Sequence, residues 1–232
     1  MKNRFDDCYI IHADYAFLGI GANDAASESM LPVLVLKDSK TRLTSWIPVG
    51  SKGCDPYAIA RFVEFVEFLG YRRLFLKSDC ESALVALKKA VKAKLVEYQI
   101  TLEESPPYEP QSNGEIEKQV HLMQENTRVQ LCQLVDSLGV RIQDNHPAIS
   151  WLVNYAAFLY CIKSPHRDDG RTPYMRHKLR TYGKKVFEFG EGVQYRKRGQ
   201  TKLDTRFNPG IYVGCRLVDE QHLVADSATG EG

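Results

Sequence analysis

Three acidic residues stand where phosphoryl-transfer chemistry could use them. Asp14 closes the apolar run Cys8-Tyr9-Ile10-Ile11-His12-Ala13-Asp14, and Asp79 closes Leu74-Phe75-Leu76-Lys77-Ser78-Asp79. Glu117 follows a proline- and glycine-bearing loop, residues 106–114, in the first turn of a long helical pattern. Magnesium is a hard cation that takes oxygen ligands, usually one or two carboxylates together with water and phosphate oxygens. Two such ions about 3.5–4 Å apart stabilise both the attacking and the leaving oxygen of an in-line displacement. Two carboxylates at strand ends and a third on a helix suit that donor set. Each acid also has an ordinary role when taken singly. An Asp after a strand forms turns or caps helices, and a Glu in a first helical turn complements the dipole. Only their order and spacing together favour chemistry.

The elements that must position these acids are legible from periodicity. Residues 8–18 read as a strand. Met30–Leu36 and Arg42–Val49 read as two more, joined by Lys37-Asp38-Ser39-Lys40-Thr41 as a hairpin, so the first three strands form a meander. Asp55 and Pro56 open a helix as N-cap and first-turn residue. Its apolar positions 58, 59, 62, 63, 66 and 69 recur at helical spacing, and Gly70 stops it. A short buried strand at Leu74–Lys77, a helix over 81–95 and a strand at Val96–Leu102 follow. Pro106, Pro107 and Pro110 exclude regular structure around them. From about Ser112 to Leu138 the apolar spacing is helical, and Pro147–Cys161 is a further apolar helix. Past Ser164 come a polar loop, a basic stretch over 174–185, and three short β-like runs at Gly192–Arg196, Gly210–Cys215 and His222–Ala225. The expected architecture is α/β: a mixed five-stranded sheet flanked by helices, then a small basic β-rich C-terminal domain resembling a barrel. The expected division is 1–165 for the core, 166–191 for a basic linker and 192–232 for the start of that domain.

Composition narrows the partners. The 232 residues carry a formal net charge of +2, yet residues 163–206 hold 13 Lys/Arg against 5 Asp/Glu, while the remainder is acidic. A basic segment on an acidic body points to a polyanionic partner. No apolar run reaches about 18 residues, so no membrane span is expected, and no secretory leader is evident at the N-terminus. Six scattered cysteines without a Cys-x-x-Cys pair fit a reducing compartment better than a disulfide framework or a zinc knuckle.

Pro107-Tyr108-Glu109-Pro110-Gln111-Ser112-Asn113-Gly114-Glu115-Ile116-Glu117 resembles the Pro-Tyr-x-Pro-Gln-Ser-x-Gly-x-x-Glu motif of retroviral and retrotransposon integrase cores. In that family the last Glu is the third catalytic acid, which maps to Glu117 and not to Glu115. His12-Ala13-Asp14-Tyr15 and Leu76-Lys77-Ser78-Asp79 resemble the strands carrying the first and second acids, with 64 residues between Asp14 and Asp79 and 37 between Asp79 and Glu117. Gly170-Arg171-Thr172-Pro173-Tyr174, Lys202-Leu203-Asp204 with Gly210-Ile211-Tyr212-Val213-Gly214, and Asp226-Ser227-Ala228-Thr229-Gly230 are similar to stretches of copia-type retrotransposon polyproteins. The resemblance implies a ribonuclease-H-like core in which Asp14, Asp79 and Glu117 hold two Mg²⁺ or Mn²⁺ ions. It implies trimming of the element's DNA ends and their joining to a target duplex. It also implies a homo-multimer, a place within a Pol polyprotein, and action in the nucleus after a cytoplasmic particle stage. The chain departs from the family pattern in three respects. The glycine expected two residues after Asp79 is Glu81, the two DNA-gripping lysines after the catalytic Glu are His121 and Gln124, and no zinc-binding His/Cys domain precedes the core.

Further residues follow as DNA-contact candidates. Gly114 is expected as a hinge of the loop, with Tyr108, Gln111 and Asn113 at the terminal nucleotides. His121 and Gln124 share the helix face of Glu117. Lys184, Lys185, Arg196, Lys197 and Arg198 are expected on phosphates. Glu115 and Glu81 are expected as solvated or structural acids, and Trp46 and Trp151 as core anchors. Two other readings stay open: a catalytically decayed DNA-binding or assembly module, and a ribonuclease H, which would need a further acid such as Glu64 or Glu67 on the first helix.

Overall fold

The computed structural model describes residues 9–19, 30–104, 110–143, 146–196 and 206–226, with residues 110–113 described in backbone only. Strands β1 (Tyr9–Leu18), β2 (Leu31–Asp38) and β3 (Thr44–Pro48) form the antiparallel meander. Helix α1 (Pro56–Leu69) leads to β4 (Arg73–Ser78), and α2 (Ser82–Lys94) leads to β5 (Gln99–Glu104). Both strands join in parallel, giving a five-stranded sheet of order β3-β2-β1-β4-β5. Helices α3 (Pro110–Leu138) and α4 (Ala148–Lys163) follow, then the short α5 (Pro173–Lys178). Strands β6 (Gly192–Tyr195), β7 (Asn208–Cys215) and β8 (His222–Asp226) make a second, antiparallel sheet of order β6-β7-β8.

Local chemistry sets the boundaries. The Asp55 carboxylate accepts the Tyr57 and Ala58 N–H groups at 2.7 and 3.2 Å, which caps α1 beside Pro56. Gly70 ends the helix in the left-handed region at φ 74°, where a side chain would be strained. Helix α3 begins at Pro110, two residues before the expected Ser112, because a proline in the first turn loses no helical hydrogen bond and is already at helical φ. Pro106 and Pro107 lie outside the described residues.

Strand alternation sorts the core. Ile11, Ala13 and Tyr15 of β1 face α1 and α2 in one apolar cluster, with Phe62, Val66, Leu84 and Leu87. The opposite face carries Ala16, Val33, Val35 and Trp46 against Ile116 and Met123 of α3 and Val153, Ala156 and Ala157 of α4. Helix α4 is apolar around its whole circumference for a reason. Its other side, Tyr155, Phe158 and Ile162, packs on Tyr174 of α5 and on Tyr212 and Cys215 of β7. The segment expected as a linker therefore contains a helix whose Tyr174 is fully buried. Among the described residues the C-terminal strands form an open three-stranded sheet seated on α4, and not a closed barrel.

Candidate active site

Parallel pairing of β1 with β4 builds the site. The register runs from Tyr9 opposite Leu74 to His12 opposite Lys77. Carrying the same offset two residues further sets Asp14 level with Asp79. Neighbouring strands lie about 4.8 Å apart, and residues in register point to the same face. That face is the one covered by α3, whose buried Ile116 is the residue immediately before Glu117.

Electrostatics registers the meeting. The Asp14 carboxyl is pushed up from 3.8 to about 6, first by burial and then by the charges of Asp79, Glu81 and Glu117, against one hydrogen bond from its neighbour's N–H that pulls it down. That N–H belongs to Tyr15, 2.8 Å from Oδ1. The three sequence-predicted acids thus share one field of like charge. A cluster of carboxylates that repel one another suits a bound cation. Among the described residues no three His, Cys, Asp or Glu side chains already stand at the spacing that encloses a metal ion. Asp79 has a local duty as well, since Oδ1 accepts the Glu81 N–H at 3.1 Å. Glu81 is the residue at the N-cap of α2 and pairs with Lys52 at 2.6 Å.

A polar layer supports the acids from below. Lys37 of β2, only 5% exposed, donates to the Glu115 carboxylate at 2.7 Å and to the Glu115 carbonyl at 3.2 Å. Glu115 is therefore not the freely solvated acid expected from sequence; it anchors the start of α3 to the sheet, and Lys37 holds its carboxyl below the usual range. His12 lies between Lys37 and Lys77 in register. Burial, reinforced by those two lysines, lowers it to about 4, so it is neutral at pH 7. Its Nε2 hydrogen-bonds the Ser39 hydroxyl at 2.9 Å. Lys37 was not foreseen, because its partner lies 78 residues away and no local pattern announces it.

The remaining candidates are distributed as follows. Gly114 lies inside α3 and not in a loop, so the described backbone gives it no hinge. Gln111 and Asn113 occupy the first turns of the same helix, their side chains outside the described residues, as are Tyr108, Lys197 and Arg198. His121 is exposed and pairs with Glu125 at 3.2 Å, while Gln124 lines a recess beside β1. Lys184 donates to the Glu220 carbonyl at 2.9 Å, and Lys185 rides over the Phe187 ring at 4.4 Å. Arg196 follows β6. The basic segment is therefore partly satisfied within the fold: Glu220 also accepts from Tyr174 at 2.5 Å and pairs with Arg180.

Glu64 of α1 is paired with Arg61 and with Arg216. The leading charges at Asp14 are those of Asp79, Glu81 and Glu117, and not those of Glu64 or Glu67. Glu64 and both arginines border a separate cavity of about 550 Å³, between α1, β3, α4 and β7. Trp46 is fully buried there, as expected of a core anchor, and Trp151 lines the same cavity.

Asp14, expected at a strand end, lies inside β1, which continues to Leu18, and Asp79 directly follows β4. A mixed five-stranded sheet in this order, flanked by helices, is the ribonuclease-H-like fold of integrase catalytic cores. The HTLV-2 integrase catalytic core domain in complex with magnesium, in its trimeric form, is similar over 72% of this chain and 95% of its own, at a TM-score of 0.51 and 14% identity. The simian T-cell lymphotropic virus intasome in complex with the PP2A regulatory subunit B56 gamma is similar over 93% of this chain and 74% of its own, at a TM-score of 0.53 and 14% identity. At that identity the likeness is one of fold. No protein-family model and no curated protein sequence matches the chain.

Proposed function

We propose that the chain is the catalytic core of a copia-type retrotransposon integrase, with part of its C-terminal region, cut from a Pol polyprotein. The observation that carries this reading is the charge of Asp79 and Glu117 acting on the Asp14 carboxyl, with the parallel β1–β4 register, which runs to His12 opposite Lys77, leading toward Asp14 and Asp79. The two neighbours described above are integrases, one bound to magnesium and one within an intasome, and their fold is the fold seen here.

The donor set fits divalent cations by its chemistry. Asp14, Asp79 and Glu117 offer hard oxygen ligands, and the Asp14 carboxyl is raised first by burial and then by the charges of Asp79, Glu81 and Glu117. These three residues would hold two Mg²⁺ or Mn²⁺ ions. When bound, such ions supply Lewis-acid stabilisation of the attacking and leaving oxygens. The chain's own residues orient the scissile phosphodiester over the middle of β1 and the end of β4. Water is the nucleophile when a DNA end is trimmed. The 3′-hydroxyl so produced is the nucleophile when that end joins a target duplex, and the target's bridging 3′-oxygen departs with the bonding pair. No covalent enzyme intermediate is required, so no Ser or Tyr nucleophile is invoked.

The substrates are then the element's DNA ends and a target duplex. A homo-multimer holds the two ends together, in the nucleus after a cytoplasmic particle stage. The ribonuclease H reading is disfavoured by the place of Glu64, which is occupied by Arg61 and Arg216. The test is strand transfer of labelled linear DNA into a plasmid with Mg²⁺ or Mn²⁺. Joining that is lost in both Asp79→Asn and Glu117→Gln supports the reading. Joining that survives Asp79→Asn refutes it. Tight DNA binding with no joining under any metal would leave a binding or assembly module in its place.

A further inference from the structure

Lys37 reaches the helix that carries Glu117, although its own strand, β2, carries none of the three acids. We propose that Lys37 is a positioning residue for the metal site: by tying residue 115 of α3 to β2, it sets where Glu117 stands relative to Asp14, and so how tightly the acids take divalent cations. This rests on the integrase reading and adds a residue to the same site.

Register places Lys37 close to Asp14. In the antiparallel ladder Asp14 lies opposite Val35, and His12 lies opposite Lys37. Alternate residues share a face, so Asp14 and Lys37 both point to the side of the sheet that carries Ala16 and Val35 against α3. As a diagonal pair on neighbouring strands, their backbones stand about 7–8 Å apart. From there the Lys37 ammonium donates to Glu115 Oε2 at 2.7 Å and to the Glu115 carbonyl at 3.2 Å. Glu117 lies two residues further along the same helix, about 3 Å along its axis. Ile116, between them, faces the core. At 3.6 residues per turn Glu115 and Glu117 project about 100° to either side of it. Lys37 thus holds one flank of the helix at β2, and Glu117 occupies the other.

That arrangement works as a lever. Ile116 is 1% exposed and shares one cluster with Val33 and Val35. Apolar contact is non-directional, so by itself it lets the helix roll about that point. A hydrogen bond is directional, and Lys37 makes two, to the side chain and to the backbone of one residue. A roll that lifts Glu115 from β2 also changes the height of Glu117 over the sheet. Glu117 is exposed, so packing does not hold its carboxylate in place. Burial of Lys37, 5% exposed, points the same way. A buried ion pair is weak support for stability, since an apolar side chain of like size serves a core nearly as well. Fixing a register is its best-attested use.

The experiment measures Mn²⁺ binding to the full chain, from the electron paramagnetic resonance signal of the free ion, and in parallel the Mg²⁺ dependence of DNA joining. Lys37→Met should weaken Mn²⁺ binding roughly 10- to 100-fold, the range for residues that orient metal ligands. The Mg²⁺ concentration for half-maximal joining should rise by the same factor. A lysine acting only by its charge repels cations, so on that account its removal would tighten metal binding. A lysine acting only on stability would leave the affinity of the folded variant unchanged. The double variant Lys37→Met with Glu115→Ala removes one charge of each sign and strands neither, so it stands in should the single variant fail to fold. Its net charge is that of the wild type, yet its affinity should fall as far as that of Lys37→Met. No Mn²⁺ binding in the wild type, or unchanged or tighter binding in the folded variants, overturns the proposal. Joining with an unshifted metal requirement in the variants defeats the positioning role and leaves the integrase reading intact. Shifted Mn²⁺ affinity in a protein that joins no DNA does the reverse.

Discussion

Replacing Asp14 by asparagine should stabilise the protein at neutral pH, and the size of the gain follows from the site. The native carboxyl is raised from 3.8 to about 6, mainly by burial and then by the nearby acids. The native state therefore holds that proton to higher pH than the unfolded chain does. Below about pH 4 both states are protonated and nothing is lost. As pH rises from about 4 to about 6 the unfolded chain releases its proton first, so native stability falls, and above about 6 the loss is complete. At about 1.4 kcal/mol per unit the full shift corresponds to about 3 kcal/mol. The carboxyl is only partly buried, and water screens the neighbouring charges, so about 1–2 kcal/mol is expected to remain. Asparagine keeps an oxygen for the Tyr15 N–H and carries no charge. For a chain of this length the gain is about 3–6 °C in melting temperature. The assay is thermal unfolding of wild type and Asp14→Asn at several pH values from 4 to 8, each with and without Mg²⁺. The difference should be near zero at pH 4, open between 4 and 6, and hold steady above. Magnesium should stabilise the wild type at pH 7.5 and leave the variant unmoved, because only the carboxylate site is a ligand. Equal melting temperatures at all pH values, or a gap that widens toward acid, would refute the reasoning.

Other perturbations probe separate parts of the same construction. Glu117→Gln should lower DNA joining by at least about 10²–10³-fold with an unchanged circular dichroism spectrum, since the residue is exposed and supports no core contact. The Lys37–Glu115 pair should break asymmetrically in denaturant titrations. Glu115→Ala strands a buried ammonium at a cost of about 3 kcal/mol, whereas Lys37→Met frees a half-exposed carboxylate to water and costs about 1 kcal/mol. A larger loss from Lys37→Met than from Glu115→Ala would contradict that account. Asp55→Ala should cost about 1 kcal/mol through the lost cap of α1, with joining activity retained.

Legibility in the sequence followed the range of the interactions. The meander, α1 with its Asp55 and Gly70 ends, and the two βα units were readable because caps and periodicities are local. The acids were singled out because a motif of adjacent residues surrounds Glu117 and because Asp79 directly follows the apolar strand β4; Asp14, expected at a strand end, lies inside β1, which runs on to Leu18. The start of α3 was misplaced by two residues: Pro110 breaks a helix interior but fits a first turn, and sequence alone does not say which it occupies. Long-range pairs left no trace. Lys37 and Glu115 lie 78 residues apart, and Arg216 of the C-terminal segment and Glu64 of α1 lie 152 apart. The seating of the second sheet had one overlooked sign, namely that Ala148–Lys163 is apolar on every side and so must be covered twice.

That double covering bears on how the protein can be cut. A fragment ended after α4 would leave Tyr155, Phe158 and Ile162 without the aromatic layer that now shields them. Three large side chains in a row on a bare helix form a sticky flank, the kind of surface on which polypeptides cluster out of solution. The minimal soluble piece is therefore set by the last strand that roofs α4, and not by the last residue that bears a catalytic acid.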